Sequence, residues 1–275
     1  MFRSGQLLRF ARKNPQGKTM AFANRVMVIT GASSGIGWAL AKECAAQGAK
    51  VGLIARRAEQ LQQLCEEIRK AGGVAEAMPV DITDRFKTLE AIHRLAEKLG
   101  PVDILVANAG VGSTNTINDL HMTEAEKVIK VNLLGVMYSI EAVLPEMLKR
   151  KQGQIVAISS LASYKGIPSA AAYCASKAAV NNYMESLRIQ LYGKGVSFTT
   201  ICPGFIRTPM TQKNKGMFLV MDADRAARKI ARAIRKRWKV YNFPWLTNRL
   251  MKLTYWLPDW LLNRTMPEEI GGQGA

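Results

Sequence analysis

The chain has 275 residues, 48% of them hydrophobic and 22% charged. Those proportions exclude a disordered or low-complexity polymer and suit one large domain or two small ones. The formal net charge of +18 suits a phosphate-bearing partner, whether a nucleotide, a nucleic acid or an anionic lipid surface.

Residues 1–42 contain no Asp or Glu, and the first acid is Glu43. Residues 1–20 lack a continuous apolar segment, so a secretory signal is not expected. They read as a basic, disordered extension, with a short amphipathic anchor, a transit peptide or dispensable sequence ahead of Met20 as alternatives. Residues 25–31 form a β-branched apolar run, the pattern of a buried strand. Gly31-Ala32-Ser33-Ser34-Gly35-Ile36-Gly37 follows, and then a helical pattern to about residue 47. A strand, a glycine turn and a helix present backbone N–H groups and a positive helix end to a pyrophosphate. The spacing is G-x-x-x-G-x-G rather than G-x-G-x-x-G.

The next strand, 50–55, runs into Arg56-Arg57. An acid at the end of this strand would hold the 2′-hydroxyl of NAD. None is present, and guanidinium groups bind phosphate in bidentate fashion, so NADP is expected in preference to NAD. Residues 58–71 form a helix with Leu61, Leu64, Cys65 and Ile68 on one side. A strand ends at Val80-Asp81-Ile82, and Asp84 caps a helix to about residue 99. The strand 104–107 turns out through Asn108-Ala109-Gly110. A long helix over 123–149 carries Asn132, which in a buried setting needs hydrogen-bond partners.

Strand 154–159 ends in Ser159-Ser160, and the helix after it holds Tyr173 and Lys177 one turn apart. A cation beside a phenol favours the phenolate and lowers the tyrosine pKa, which makes a general acid/base for a hydroxyl/carbonyl pair. Strand 197–202 ends in Pro203-Gly204. A loop over 205–221, a basic helix over 222–236 and a short strand near Val240 complete the pattern. The β-α alternation implies a doubly wound, Rossmann-type α/β fold, a parallel sheet with helices on both faces. The glycine turn, Arg56, Asp81, Asn108, Ser160 and Pro203-Gly204 all fall at strand C-terminal ends, where such sheets bind ligands. The expected organisation is an extension over 1–20, one domain over 21–241 and an amphipathic, aromatic tail over 242–275.

Cys44, Cys65, Cys174 and Cys202 form no C-x-x-C pair, which argues for free thiols in a reducing compartment, hence the cytoplasm. His93 and His121 are expected at the surface; no metal site is expected. No uninterrupted apolar run reaches the roughly 18 residues of a membrane span. No nucleic-acid recognition motif accompanies the charge, so that partner is not expected.

These residues resemble the short-chain dehydrogenase/reductases across about residues 24–241. Thr30-Gly31-x-x-x-Gly35-x-Gly37, Asn108-Ala109-Gly110, Asn132, Ser160, Tyr173-x-x-x-Lys177 and Pro203-Gly204 stand in that family's order, and Ser160 lies 13 residues before Tyr173. Ala107 departs from the family, which often has a second Asn there. The resemblance implies that Tyr173 exchanges a proton with the substrate oxygen, that Ser160 holds that oxygen, and that Lys177 lowers the tyrosine pKa and binds the nicotinamide ribose. It implies that Asn132 supports a proton relay and that Asn108, Ala109 and Gly110 line the cofactor cleft. Asp81 and Ile82 would lie near the adenine, Ile206 and Thr208 would hold the carboxamide, and Arg56, with Arg57 second, would take the NADP phosphate. Ser159 is expected to be structural.

Phe205, Met210, Met217, Phe218, Leu219, Val220 and Met221 give the 205–221 loop an adaptable apolar surface, the pattern of a lid over a hydrophobic ketone or aldehyde or of a loop packed on itself. In the tail, Leu246, Leu250, Leu253, Leu257 and Leu261 recur at helical spacing, interrupted by Pro258 into two short helices. Trp245, Tyr255, Trp256 and Trp260 join them, with Arg249, Lys252 and Arg264. Such a stripe either packs on its own domain or a second subunit, as in a homo-oligomer, or lies in a membrane interface. The leading reading is an NADP(H)-dependent carbonyl reductase; a sensor or scaffold that binds NADP(H) without turnover is the alternative.

Overall fold

Five consecutive buried residues, Val26–Thr30, form β1, an interior strand of the sheet. The computed structural model describes residues 20–112, 122–212, 219–253 and 257–261. The expectations for 1–19, His121, Met217, Phe218, Tyr255, Trp256, Arg264 and the chain's last residues fall outside them. From β1 the chain passes through α1 (Gly35–Ala46) to β2 (Lys50–Ala55), then α2 (Ala58–Lys70) to β3 (Val74–Pro79). It returns through α3 (Arg85–Leu99) to β4 (Ile104–Ala107) on the other side of β1. A helical stretch, α4 (Met122–Ile129) and α5 (Gly135–Lys149), leads to β5 (Gly153–Ile158). Then come α6 (Ala171–Gln190), β6 (Val196–Pro203), a two-residue ribbon of β7 (Ile206–Arg207) and β8 (Met221–Asp222), α7 (Ala223–Arg235), β9 (Val240–Phe243) and α8 (Trp245–Leu253).

The seven-stranded sheet has the order β3-β2-β1-β4-β5-β6-β9, parallel throughout. Because β1 pairs with both β2 and β4, the winding reverses there, which opens a crevice above their C-terminal ends. One apolar layer joins the sheet to α1, α2 and α7 through residues such as Leu40, Leu61 and Ile230. The other joins it to α3, α5 and α6 through Leu95, Ile140 and Val180. Helices on both faces explain why β1, β4 and β5 are buried at every position rather than alternating.

Several boundaries differ from the sequence reading. β3 ends at Pro79, because the Asp81 carboxylate accepts the Thr83 N–H at 3.0 Å and its hydroxyl at 2.8 Å and turns the chain. Asp84 does cap α3, accepting from the Lys87 N–H at 3.0 Å. The helix carrying Asn132 is interrupted by a π-helical turn, Lys130–Leu134, so Asn132 sits in a bulge rather than in regular α-helix. From Met122 to Lys149 this stretch includes an 18-residue window with mean hydropathy 1.4, which is long and apolar enough for a span. Half of that window is buried against its own domain, and α5 packs on α3. β9 continues to Phe243, beyond the expected tail boundary, because Asn242 and Phe243 pair with Cys202 and Pro203. All four cysteines are free and buried.

Candidate active site

The floor of the crevice is the turn after β1. Gly31 and Gly35 adopt φ of +68° and +58°, a region that disfavours side chains. A Cβ on Gly31 would come within 2.7 Å of the Ala109 Cα, and one on Gly37 would overlap the Gly31 carbonyl. Glycine here lets two turns and a helix meet at backbone distance. Asn108 then stitches them together: its amide donates to the carbonyls of Thr30 at 2.9 Å and Gly31 at 3.2 Å. In return the Thr30 hydroxyl accepts from the N–H groups of Asn108 and Ala109, both at 3.1 Å. Ser34, the N-cap of α1, makes no side-chain capping bond. The helix start is thereby left to an external acceptor.

Two arginines form the wall beyond this turn. Arg57 donates from Nε and Nη2 to Ser33 Oγ at 3.2 and 3.0 Å, and from Nη2 to the Ser33 carbonyl at 3.2 Å. Arg56 lies 3.9 Å from the Asp81 carboxylate in a largely exposed pair. The sequence reading put Arg56 first; the residue engaged with the glycine turn is Arg57.

On the opposite wall, α6 carries Tyr173 and Lys177 on one face. Lys177 Nζ is buried, donates to the Ile158 carbonyl at 2.9 Å and lies 5.7 Å from the Tyr173 ring centre. Burial pushes its pKa down to about 8. Burial also raises the Tyr173 pKa; a hydrogen bond with Ser160 opposes this, while Cys174 and Cys202 reinforce it. This corrects the expectation of a lowered phenol: desolvation dominates, and the ammonium faces the ring and a backbone carbonyl. Ser160 Oγ accepts from the Ala162 N–H at 3.1 Å and so caps a 3₁₀ turn, Leu161–Ser163. Ser159 donates to the Lys177 carbonyl at 3.1 Å and fastens α6 to β5.

Asn132 is fully buried and satisfied. Its Oδ1 accepts from the Val111 N–H at 2.8 Å, and its Nδ2 donates to the Val111 carbonyl and to Ser176 Oγ, both at 3.0 Å. Ser176 Oγ donates in turn to the Tyr173 carbonyl at 2.7 Å. Asn132 therefore couples the π-helical turn, the exit of β4 and the tyrosine backbone. Gly110 lies between them, and a Cβ there would be 3.3 Å from Asn132 Oδ1 and 3.4 Å from Lys177 Nζ.

These walls enclose a cleft of about 520 Å³. It is lined by Gly31, Ser33, Ser34, Gly35, Ile36, Arg56, Arg57, Asp81, Ile82, Asn108, Ala109, Gly110, Ser160, Tyr173, Lys177, Pro203, Gly204, Ile206 and Thr208. Gly37 and Asn132 stand behind the lining. Val111 and Thr211 were not singled out from the sequence, and Thr30 entered only as the first residue of the glycine motif. Thr211 also lines the cleft; its hydroxyl donates to the Ile206 carbonyl at 2.6 Å and accepts from the Thr208 N–H at 3.0 Å. Only the pair of threonines in that turn, Thr208 and Thr211, could have signalled it.

The model of the short chain dehydrogenase family matches residues 25–217, which hold the glycine turn, Asn108, Ser160, Tyr173, Lys177 and Thr208. The chain belongs to the short-chain dehydrogenases. An uncharacterized oxidoreductase of Myxococcus xanthus is 40% identical to this dehydrogenase over 222 residues, 80% of this chain and 88% of the relative. Ketoacyl reductase HetN of Nostoc is 34% identical over 188 residues, 68% of this chain and 66% of the relative. The solved alcohol dehydrogenase of Thermococcus sibiricus, complexed with 5-hydroxy-NADP, superposes with a TM-score of 0.72 at 28% identity, covering 80% of this chain and 94% of that one. The dehydrogenase is thus an oxidoreductase acting on a small molecule.

Proposed function

We propose that this dehydrogenase interconverts a hydrophobic ketone or aldehyde and its alcohol, with NADP(H) as the redox partner. The observation that carries the reading is that Ser160, Tyr173 and Lys177 share one cleft with the glycine turn and both arginines. The uncapped start of α1 and the close-packed glycines fit a pyrophosphate, and Arg57 with Arg56 fits a ribose phosphate. When bound, the cofactor supplies the hydride. Tyr173 Oη gives its proton to the substrate oxygen, and the Ser160 hydroxyl donates to that oxygen and stabilises the charge developing on it. Burial that raises the Tyr173 pKa favours the protonated phenol, the form that the reductive direction uses. The Lys177 ammonium favours the phenolate left behind. Met210, Pro209 and Val111 make the substrate end of the lining apolar. The Nostoc relative's name, a ketoacyl reductase, and the NADP derivative in the Thermococcus structure support the same reading.

The test is NADPH oxidation with a panel of hydrophobic carbonyls, comparing wild type with Tyr173→Phe. Loss of a general acid lowers kcat by roughly 10²–10⁴-fold. Equal rates for the two proteins would remove Tyr173 from the reaction.

A further inference from the structure

We propose that the outer face of α8 and the turn after it seat on an anionic lipid bilayer, beside the mouth of the cleft. Trp245, Leu246, Arg249 and Leu253 fall within an arc of about 100° on α8. Trp245 is 66% exposed, Leu246 42% and Leu253 67%, and Trp260 in the following turn is 69% exposed. The Arg249 guanidinium stands 5.3 Å over the Trp245 ring, so an apolar body and a cationic head share one surface. The opposite side of α8 is anchored. Thr247 is buried, and a Cβ added to Gly204 would touch Pro244, Leu161 and Thr247 at 3.2–3.4 Å. Asn248 accepts from Asn242 at 3.1 Å, and Asn242 accepts from the Tyr164 hydroxyl at 3.2 Å. The helix is therefore fixed against Gly204, which lines the cleft, and its apolar stripe is not free to turn inward.

Charge selects the occupant. Asp259, the acid beside Trp260 in this surface, is fully exposed and lies 4.0 Å from Lys165. Among the described residues Arg249 is the cation placed on the stripe, within a chain of net charge +18. Two copies of so cationic a chain repel each other, whereas an anionic bilayer attracts it and takes up the indoles and leucines.

Flotation of the full-length protein with vesicles tests this, comparing phosphatidylcholine alone with phosphatidylcholine containing phosphatidylglycerol. The protein is expected to float with the anionic vesicles, less with the neutral ones, and less at high salt. Arg249→Glu should reduce the vesicle partition coefficient about 30-fold, and Trp245→Glu with Leu253→Glu at least about tenfold. Melting temperature and rate with a water-soluble carbonyl should hold in all three proteins, which separates lost docking from lost folding. Brominated lipid should quench tryptophan emission in wild type but less after Trp245→Glu. Wild type that stays unbound, or variants that float as well as wild type, would overturn the proposal. So would a dimer, detected by light scattering, that the double variant dissolves, since a second copy then covers the stripe.

Discussion

Arg57 is locked onto Ser33 through three hydrogen bonds of 3.0–3.2 Å, joining the exit of β2 to the glycine turn. On the proposed reading, the same guanidinium that braces the turn also takes the phosphate of NADP(H). Hydrogen bonds to charged groups contribute about 1.5–3 kcal/mol. Arg57→Ala is therefore expected to raise the KM for NADPH about 10- to 100-fold while changing that for NADH by less than about threefold. Arg56→Ala, whose partner is the exposed Asp81 at 3.9 Å, should have the smaller effect. Steady-state kinetics with both cofactors decides this, and an unaltered NADPH/NADH ratio in Arg57→Ala would count against it.

Lys177 makes stability depend on pH. Its folded pKa of about 8 lies below the ordinary 10.5, so between those values the unfolded chain binds more protons than the native one. Stability from this group therefore rises with pH across the window from about 8 to 10, by roughly 2 kcal/mol. Buried thiols such as Cys174 and Cys202, with pKa values raised above 9.0, act in the opposite sense from about pH 9. The informative quantity is thus the difference between wild type and Lys177→Met, in which the thiols cancel. Denaturant melts from pH 7 to 10 should show wild type gaining on the variant, and parallel curves would exclude a depressed lysine.

How far such effects can be read without coordinates follows from their range. The alternation of apolar runs with glycine turns was legible, because strand burial and helix starts are local signals. So was the meeting of Ser160, Tyr173 and Lys177, since helical spacing and the strand end place them together. The direction of the Tyr173 shift was not, because it depends on how much packing from β5, β6 and α6 strips water from the phenol. That Arg57 and not Arg56 bonds Ser33 depends on side-chain reach across 24 positions of chain. The π-helical turn at Asn132 was hidden for a similar reason: it is held by Val111 and Ser176, both distant in sequence.

Thr30 tests the stitching of the floor. Its hydroxyl accepts from two backbone N–H groups, those of Asn108 and Ala109. Thr30→Val keeps the shape and leaves both donors without that acceptor, at a combined cost of about 2–4 kcal/mol. Thr30→Ser keeps the oxygen and loses only a methyl, so it should stay within about 1 kcal/mol of wild type. Chemical denaturation measures both; a Val variant as stable as wild type would show that the hydroxyl does not hold the floor.

Asn181 tests the support of Ser160 from behind. The Ser163 hydroxyl donates to the Ser160 carbonyl at 2.6 Å, and Asn181 Nδ2 donates to that hydroxyl at 2.7 Å. Cys202 at the end of β6 donates to Asn181 Oδ1 at 3.8 Å. None of these bonds reaches the cleft directly, so Asn181 is a positioning residue. Asn181→Leu frees the 3₁₀ turn and is expected to lower kcat about tenfold, equivalent to about 1.4 kcal/mol, with KM changed little. Ser163→Ala breaks the same link from its other end, so the double variant should lose little more than either single one. Additive losses in kcat would mean that the two side chains act separately. A fall in melting temperature with kcat intact would reduce both to packing.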